Sequence, residues 1–442
     1  MSTLRTLRRH SSKAISKTLT AVVYTTLLAA ASVSCSASDG TKQTTITIGT
    51  FGNFGYQGLY RRYEKQHPGI KIEERTSAYA DHHTSLAAHL AAGYGANDIE
   101  AIETGYIAQF KGEPQRFVNF LDEGVTNRNH QWLDWKWAES LAPDGKSQIG
   151  LGTDVGGLAI CYRRDMFRQA GLPVDRDAVS RLWLDWKSYF ATGRRFLQAE
   201  KNGRVKRGTK WFDGGGTVFN AMMGQAPVGY YAHGNKLVVA TNPAVKAAWD
   251  QVSAAGQEGQ SAGLMPLTTD WNDSFARGQF ATIPCPAWMT GLIQDRAKSS
   301  AGQWDVAAVP SRGGNWGGSF LAVPAQTKHR AQAVALAKWL TQPAQQAYIF
   351  RHTGNLPSEP SLYAEPSIVH FKKAFFNNAP LGKIFTKAAS DLRPRYEGPK
   401  EGDIWLTFGR GLKRVEDGDQ TSDQSWRQTL AEVRRVAAGS QP

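Results

Sequence analysis

From residue 44 onward the chain alternates short apolar runs with amphipathic ones. TTITIGTF, at 44–51, has the length and β-branched content of a buried strand. Residues 55–66 then place Leu59, Tyr60 and Tyr63 on one side, which is helical spacing, and His67-Pro68-Gly69 ends the run. IKIEERT forms the next strand, 84–92 a helix closed by Gly93, and DIEAIE at 98–103 a third strand. Strand, helix, strand, helix, strand is the order that builds a parallel sheet covered by helices.

The alternation continues. GLAICYR at 157–163 predicts a strand, and a helix follows through Met166, Phe167 and Ala170 to Gly171-Leu172-Pro173. Asn242-Pro243 supplies an N-cap and a first-turn proline. Residues 331–340 form an amphipathic helix, broken at Thr341-Gln342-Pro343, with a second helix running to His352. Thr421 and Gln424 have the spacing of a capping box for a last helix over 422–438. There is no internal repeat and no long low-complexity segment. The whole is α/β, and its length calls for two lobes instead of one core.

Residues 1–34 differ in kind. Arg5, Arg8, Arg9, Lys13 and Lys17 precede an almost uncharged run, LTAVVYTTLLAAASV, and small residues follow. This is the pattern of an export signal, too short to favour a permanent spanning helix. Cys35 stands at the expected cut, where lipoproteins carry their acylated cysteine, although Ser32 replaces the usual Leu three residues before it. A polar tether, 35–43, leads to the first strand. The expected location is the outer face of the cytoplasmic membrane, held by a lipid anchor.

The formal charge is +14, but five of the 52 basic residues lie in the leader with no acid, so 47 bases and 38 acids remain, a balance of +9. The excess is spread out, and KNGRVKRGTK at 201–210 has the character of a solvated loop, so no nucleic-acid groove is expected. Beyond Cys35 the cysteines are Cys161 and Cys285, both in apolar strand-like runs. They form either a disulfide, as an oxidising compartment permits, or two separate buried thiols.

Five blocks, in order, resemble the extracellular solute-binding proteins of carbohydrate-uptake ABC transporters. They are ITIGTFGNFGYQGLYRRYEKQHPGIKIE, DIEAIETGYIAQF, GTDVGGLAICYRRDMFRQAGLP, WNDSFARGQFATIPCPAWMTG and WDVAAVPSRGGNWGGSFLAVPAQTKHRAQAVALAKWLTQPAQQ. The blocks GTVFNAMMGQ, GGNWGGSFLAVP and TGNLPS look most like binders of cello-oligosaccharide type from Gram-positive bacteria. The resemblance implies a type II periplasmic-binding-protein-like fold, with a ligand cleft between lobes joined by hinge segments. The N-lobe would hold 44–153 and 307–350, the C-lobe 156–305 and 355–438. The implied function is capture of a di- or oligosaccharide by hinge closure and delivery to ABC permease subunits, by a monomer without cofactor or catalysis. In that family the segments matching GLAICYR and ATIPCPAW are neighbouring strands, which implies a Cys161–Cys285 disulfide.

Sugars stack their C–H faces on aromatic rings and pair their hydroxyls with carboxylates, amides and Arg. Of the 14 Trp, several stand beside Gly, Asn, Asp or Pro instead of inside apolar runs. Trp271, Trp288 and Trp316 are therefore the candidate stacking rings, Trp316 being flanked by Gly313-Gly314-Asn315 and Gly317-Gly318. Trp132, Trp135 and Trp137 are assigned to packing or to a surface ridge. Polar partners are expected in loops at strand ends: Asn53 after the first strand, Asp81 and His82 after the second, Glu103 and Tyr106 after the third, and Asp154 at the first crossing. Asp213 and Arg395 are the candidates from the second lobe. His82-His83 lacks a partner pair at helical spacing, so no metal is expected. A polyamine, iron-complex or peptide binder of the same fold stays open as an alternative, as does a secreted glycosidase using acids such as Glu103 and Asp154.

Overall fold

The structure, a computed structural model, describes residues 43–439. The leader and Cys35 lie outside the described residues. Two sheets organise the chain. The first has the spatial order Ile70–Ser77, Thr44–Phe51, Ile99–Glu103, Ser319–Ala322, Gly150–Gly152. Its first three strands are parallel; Ser319–Ala322 runs antiparallel to both of its neighbours. Side chains alternate between two buried faces. Ile99, Ala101 and Leu321 join one core with Ile46 and Ile48, while Ile102, Phe320 and Ala322 join another with Leu86 and Leu90. A sheet covered on both sides needs such near-continuous apolar strands.

Because Thr44–Phe51 lies between the second and third strands, the chain winds outward in opposite directions from it. The topological switch point lies at the carboxyl ends of Thr44–Phe51 and Ile99–Glu103, the place where open α/β sheets bind ligands. Glu103 is the last residue of its strand. The helix before it covers Tyr79–Ala92 and so starts five residues ahead of the expected 84. His82 and His83 continue the buried stripe of Leu86 and Leu90, a stripe hidden in the sequence because histidine counts as polar.

The second sheet runs Trp304–Ala307, Leu158–Arg163, Phe280–Pro286, Lys210–Phe212. Leu158–Arg163 is antiparallel to Phe280–Pro286, with Cys161 opposite Ile283 and Cys285 opposite Ala159. This diagonal places the two Cα atoms 5.4 Å apart, and Cys161 and Cys285 are disulfide-bonded across 124 residues of sequence. Around the sheet lies the largest core, rich in Trp183, Trp211, Trp249, Trp271 and Trp304.

The chain passes between the sheets at three places. Asp154–Val155 pairs antiparallel with Leu356–Pro357, and Gly157 bridges to Asn315. A Cβ on Gly156 would sit 1.8 Å from the Trp316 carbonyl oxygen, so only glycine fits where these strands cross. The C-terminal helices Glu401–Glu416 and Ser422–Ala437 pack together, the former also against Gly215–Gln225 and Pro243–Gln257. Asn242 and Thr421 cap their helices as the sequence indicates.

Replacing both Cys161 and Cys285 with Ala should lower the unfolding free energy by about 2–5 kcal/mol. Urea unfolding of the variant measures this; an unchanged midpoint would mean the thiols contribute nothing as a bridge.

Candidate functional site

A small cavity lies between the two sheets. On one side it is walled by Tyr79, Glu103, Thr104 and Gly105. On the other it is walled by Asn220, Tyr230, Trp316, Arg395, Glu397, Glu401 and Trp405. These residues come from the start of the helix Tyr79–Ala92, the end of the strand Ile99–Glu103, the helix Gly215–Gln225 and the residues just after it, the Asn315–Gly317 crossing, and the helix Glu401–Glu416 with the segment leading into it.

Glu103 is held from three directions. As N-cap of the short helix Thr104–Phe110, its Oε2 accepts from the Gly105 N–H at 2.7 Å. The Tyr79 hydroxyl donates to the same oxygen at 2.8 Å. The Glu103 N–H donates to His83 Nε2 at 3.0 Å. His83 Nε2 must therefore be bare and Nδ1 protonated, and Nδ1 donates to the Tyr79 carbonyl at 2.7 Å. Burial pulls the His83 pKa well down, which fixes this neutral form. Burial also pushes the Glu103 carboxyl up to about 7, against the Tyr79 hydrogen bond and with the help of the nearby Glu397 charge.

Across the cavity Arg395 carries two acids, Glu401 at 2.6 Å and Glu397 at 3.3 Å. Burial pushes Glu401 to about 7 despite that guanidinium. Each acid spends one oxygen on Arg395. Glu397 Oε2, Glu401 Oε2 and the Tyr230 hydroxyl are buried with no partner in the protein. Unpaired buried acceptors are costly, and cavity-lining ones are groups a ligand can satisfy. Trp316 stands edge-on to Trp288 at 5.5 Å and to Trp405 at 5.6 Å. Trp288 Nε1 donates to the Trp316 carbonyl and Trp405 Nε1 to the Gly216 carbonyl, so hydrogen bonds fix both indoles.

The two sides touch directly beside the cavity. The Tyr106 hydroxyl donates to Asp403 Oδ1 at 2.9 Å. Gly105 and Gly402 meet backbone to backbone: a Cβ on Gly105 would lie 3.1 Å from the Gly402 nitrogen.

Of the residues expected from sequence, Glu103, Trp316 and Arg395 line the cavity, with Trp288 behind Trp316. The others are placed elsewhere. Asn53 is exposed and accepts from the Gly55 N–H in its own turn. Asp81 and His82 belong to a helix, not a loop; Asp81 is exposed, and His82 is buried with Nε2 at 2.7 Å from the Ala101 carbonyl. Tyr106 bridges to Asp403. Asp154 is buried and accepts from the Ser319 N–H and the Thr153 hydroxyl, bracing the crossing. Trp271 and Asp213 are fully buried partners in the core of the second sheet, the indole donating to Asp213 Oδ2 at 2.7 Å. Trp271 sits beside Asn and Asp because its helix is amphipathic, and its ring is on the apolar side. Tyr79, His83, Tyr230, Glu397, Glu401 and Trp405 escaped the sequence reading. Glu397 alone carried a signal, standing two residues from Arg395 in RPRYEGP.

Fold and cleft define a two-lobed binding protein. The chain belongs to the family described as bacterial extracellular solute-binding protein, whose profile matches residues 58–377. Members of this family are binding proteins of transporters, not enzymes. The arabinooligosaccharide-binding protein of Halalkalibacterium halodurans is 23% identical over 274 residues, 60% of this chain and 58% of that relative's length. A crystal structure of an extracellular solute-binding protein of family 1 is 41% identical, with TM-score 0.76 over 89% of this chain and all of that one (100%). The ABC-transporter binding protein of B. animalis subsp. lactis, solved with β-1,6-galactobiose, shares the fold at 17% identity and TM-score 0.76, covering 90% of this chain and 98% of that one.

Trp271→Ala should cost about 3–5 kcal/mol of stability in urea unfolding, through the cavity it leaves and the stranded Asp213. A separate expectation concerns pH. Glu103 and Glu401 have folded pKa values of about 7 against 4.5 for a free side chain, so the folded state binds the extra protons. Their stabilising contribution is complete below pH 4.5 and is lost as the pH rises through about 7. The melting temperature of the ligand-free protein should fall across that window, and Glu103→Gln should flatten the fall; a slope unaltered by the substitution would remove Glu103 from the account.

Proposed function

We propose that this protein captures a short oligosaccharide between its lobes and delivers it to the permease of an ABC importer. The observation that carries the reading is a cavity lined by Tyr230, Glu397 and Glu401, each with a buried oxygen that no protein group pairs, and by the Trp316 and Trp405 indoles. Hydroxyls satisfy such oxygens, and sugar C–H faces fit such rings. The name of the curated relative and the disaccharide bound to the B. animalis protein support a carbohydrate. The Tyr106–Asp403 bond and the Gly105–Gly402 approach supply contacts that form as the lobes close.

On this reading the leader, 1–34, directs export and Cys35 receives a lipid that holds the protein at the outer face of the cytoplasmic membrane. The lobes divide near the two crossings at 153–156 and 350–355, with the remaining crossing near 307. The strand Trp304–Ala307, which pairs within the second sheet, favours placing that last crossing after residue 307.

A thermal-shift screen against cellobiose, cellotriose, maltose, arabino-oligosaccharides and spermidine tests the class, since a ligand of the folded state raises the melting temperature. A rise with a sugar series is the expected outcome; a rise with spermidine alone would overturn the carbohydrate reading. Trp405→Ala and Trp316→Ala should each weaken the responding sugar by about tenfold or more, measured by calorimetric titration.

A further inference from the structure

We infer that the ligand of this cleft carries a positive charge among its hydroxyls, and that the site takes a short oligosaccharide bearing a protonated amino group. A β-1,4-linked glucosamine disaccharide represents the class. The inference rests on the oligosaccharide reading above and narrows it.

The first argument is charge. Glu103, Glu397 and Glu401 line the cavity, and Arg395 is the one cationic side chain among the lining residues. The next layer does not repair the imbalance. There Glu139, Asp154 and Asp403 are matched by Lys136, Lys111 and Lys400: Lys136 Nζ lies 3.6 Å from Glu139, and Lys400 Nζ lies 3.6 Å from Asp403. Lys111 is attracted by both Glu139 and Glu397. Six carboxyl groups thus stand against four cations; burial pushes Glu103, Glu139 and Glu401 up to about 7, so the two surplus acids are groups that a bound cation would hold ionised. This happens in a chain whose formal charge is +14, so the acidity belongs to the cleft and not to the protein at large.

The second argument is the unpaired oxygens. Glu401 is 4% exposed and its Oε2 has no protein partner; Tyr230 is 1% exposed and its hydroxyl has none either. Glu397 Oε2 is in the same condition. Neutral hydroxyls would fill these hydrogen-bonding positions but leave the excess charge in a cavity from which the ligand has just expelled water. There the repulsion among the three acids grows. An ammonium group answers both needs, since it donates three hydrogen bonds and cancels a charge.

The third argument is the aromatic wall. Tyr79, Tyr230, Trp316 and Trp405 surround the acids, and π faces attract cations most strongly where water is excluded. The Arg395 guanidinium already uses one such face, 5.8 Å from the Tyr230 ring centre. Asn220 and Thr104 add neutral groups that both donate and accept to the same lining; sugar hydroxyls use both capacities, whereas the ammonium groups of a polyamine only donate.

The test is calorimetric titration of the purified protein at neutral pH with four probes: the β-1,4 glucosamine disaccharide, its fully N-acetylated counterpart, cellobiose and spermidine. The amine-bearing disaccharide should bind roughly tenfold or more tighter than the two neutral ones. Glu397→Gln and Glu103→Gln should each weaken the amine-bearing disaccharide more than cellobiose and so erase most of that preference, and circular dichroism checks that each variant is folded. Cellobiose or the N-acetylated sugar binding as tightly as the amine would overturn the charged-ligand inference and leave the oligosaccharide reading standing. Spermidine binding more tightly than every sugar would overturn both, and binding by none of the four would overturn the assignment of this ligand class.

Discussion

The hydrogen bond from the Glu103 backbone to His83 Nε2 sets much of the cleft. It joins the end of the third strand to the helix that precedes it. It fixes the His83 tautomer, and through Nδ1 it ties the first turn of that helix to the same ring. Tyr106 stacks on the other face of the imidazole, with ring centres 4.0 Å apart. The Glu103 carboxylate is then aimed by its own helix N-terminus and by Tyr79. One neutral histidine thus holds an acid and two tyrosines where the lobes meet.

Burial of like charge is the second constraint. Glu103 and Glu401 approach from different lobes, and both are driven towards neutrality by loss of water. Arg395 relieves Glu397 and Glu401 only in part, because each acid keeps one oxygen free. A cavity in this condition favours a ligand rich in donors over bulk water that closure would expel. On the proposed function, binding and lobe closure are linked through the same carboxylates.

Tryptophan serves the second lobe in two ways. Trp183, Trp211, Trp249, Trp271 and Trp304 are fully buried around the second sheet, and their indole N–H groups are mostly tied to neighbours. Trp316 and Trp405 instead stand at the cavity wall. The same residue type thus builds the scaffold and the site, and abundance alone does not separate the two uses. The Cys161–Cys285 bridge lies in the scaffold, joining the two central strands of the second sheet.

The sequence by itself determined the α/β alternation, the capped helices at Asn242 and Thr421, and the family, because these depend on local periodicity and on blocks of neighbouring residues. It also named Glu103, Trp316 and Arg395, at a strand end, in a glycine-rich crossing and in a proline-broken loop, and the fold brings these three to one cavity. It misplaced Trp271 and Asp213, since a polar neighbourhood in sequence says nothing about which side of a helix a ring occupies. It missed Tyr79, Glu401 and Trp405. These lie on helices, where they look like surface or packing residues until a second segment, hundreds of positions away, comes to face them. Only the tertiary structure decides which carboxylates share a cavity, which keep an oxygen unpaired, and where charge of one sign is left without its counterpart, because each of those is a property of distances across the lobes and not of spacing along the chain.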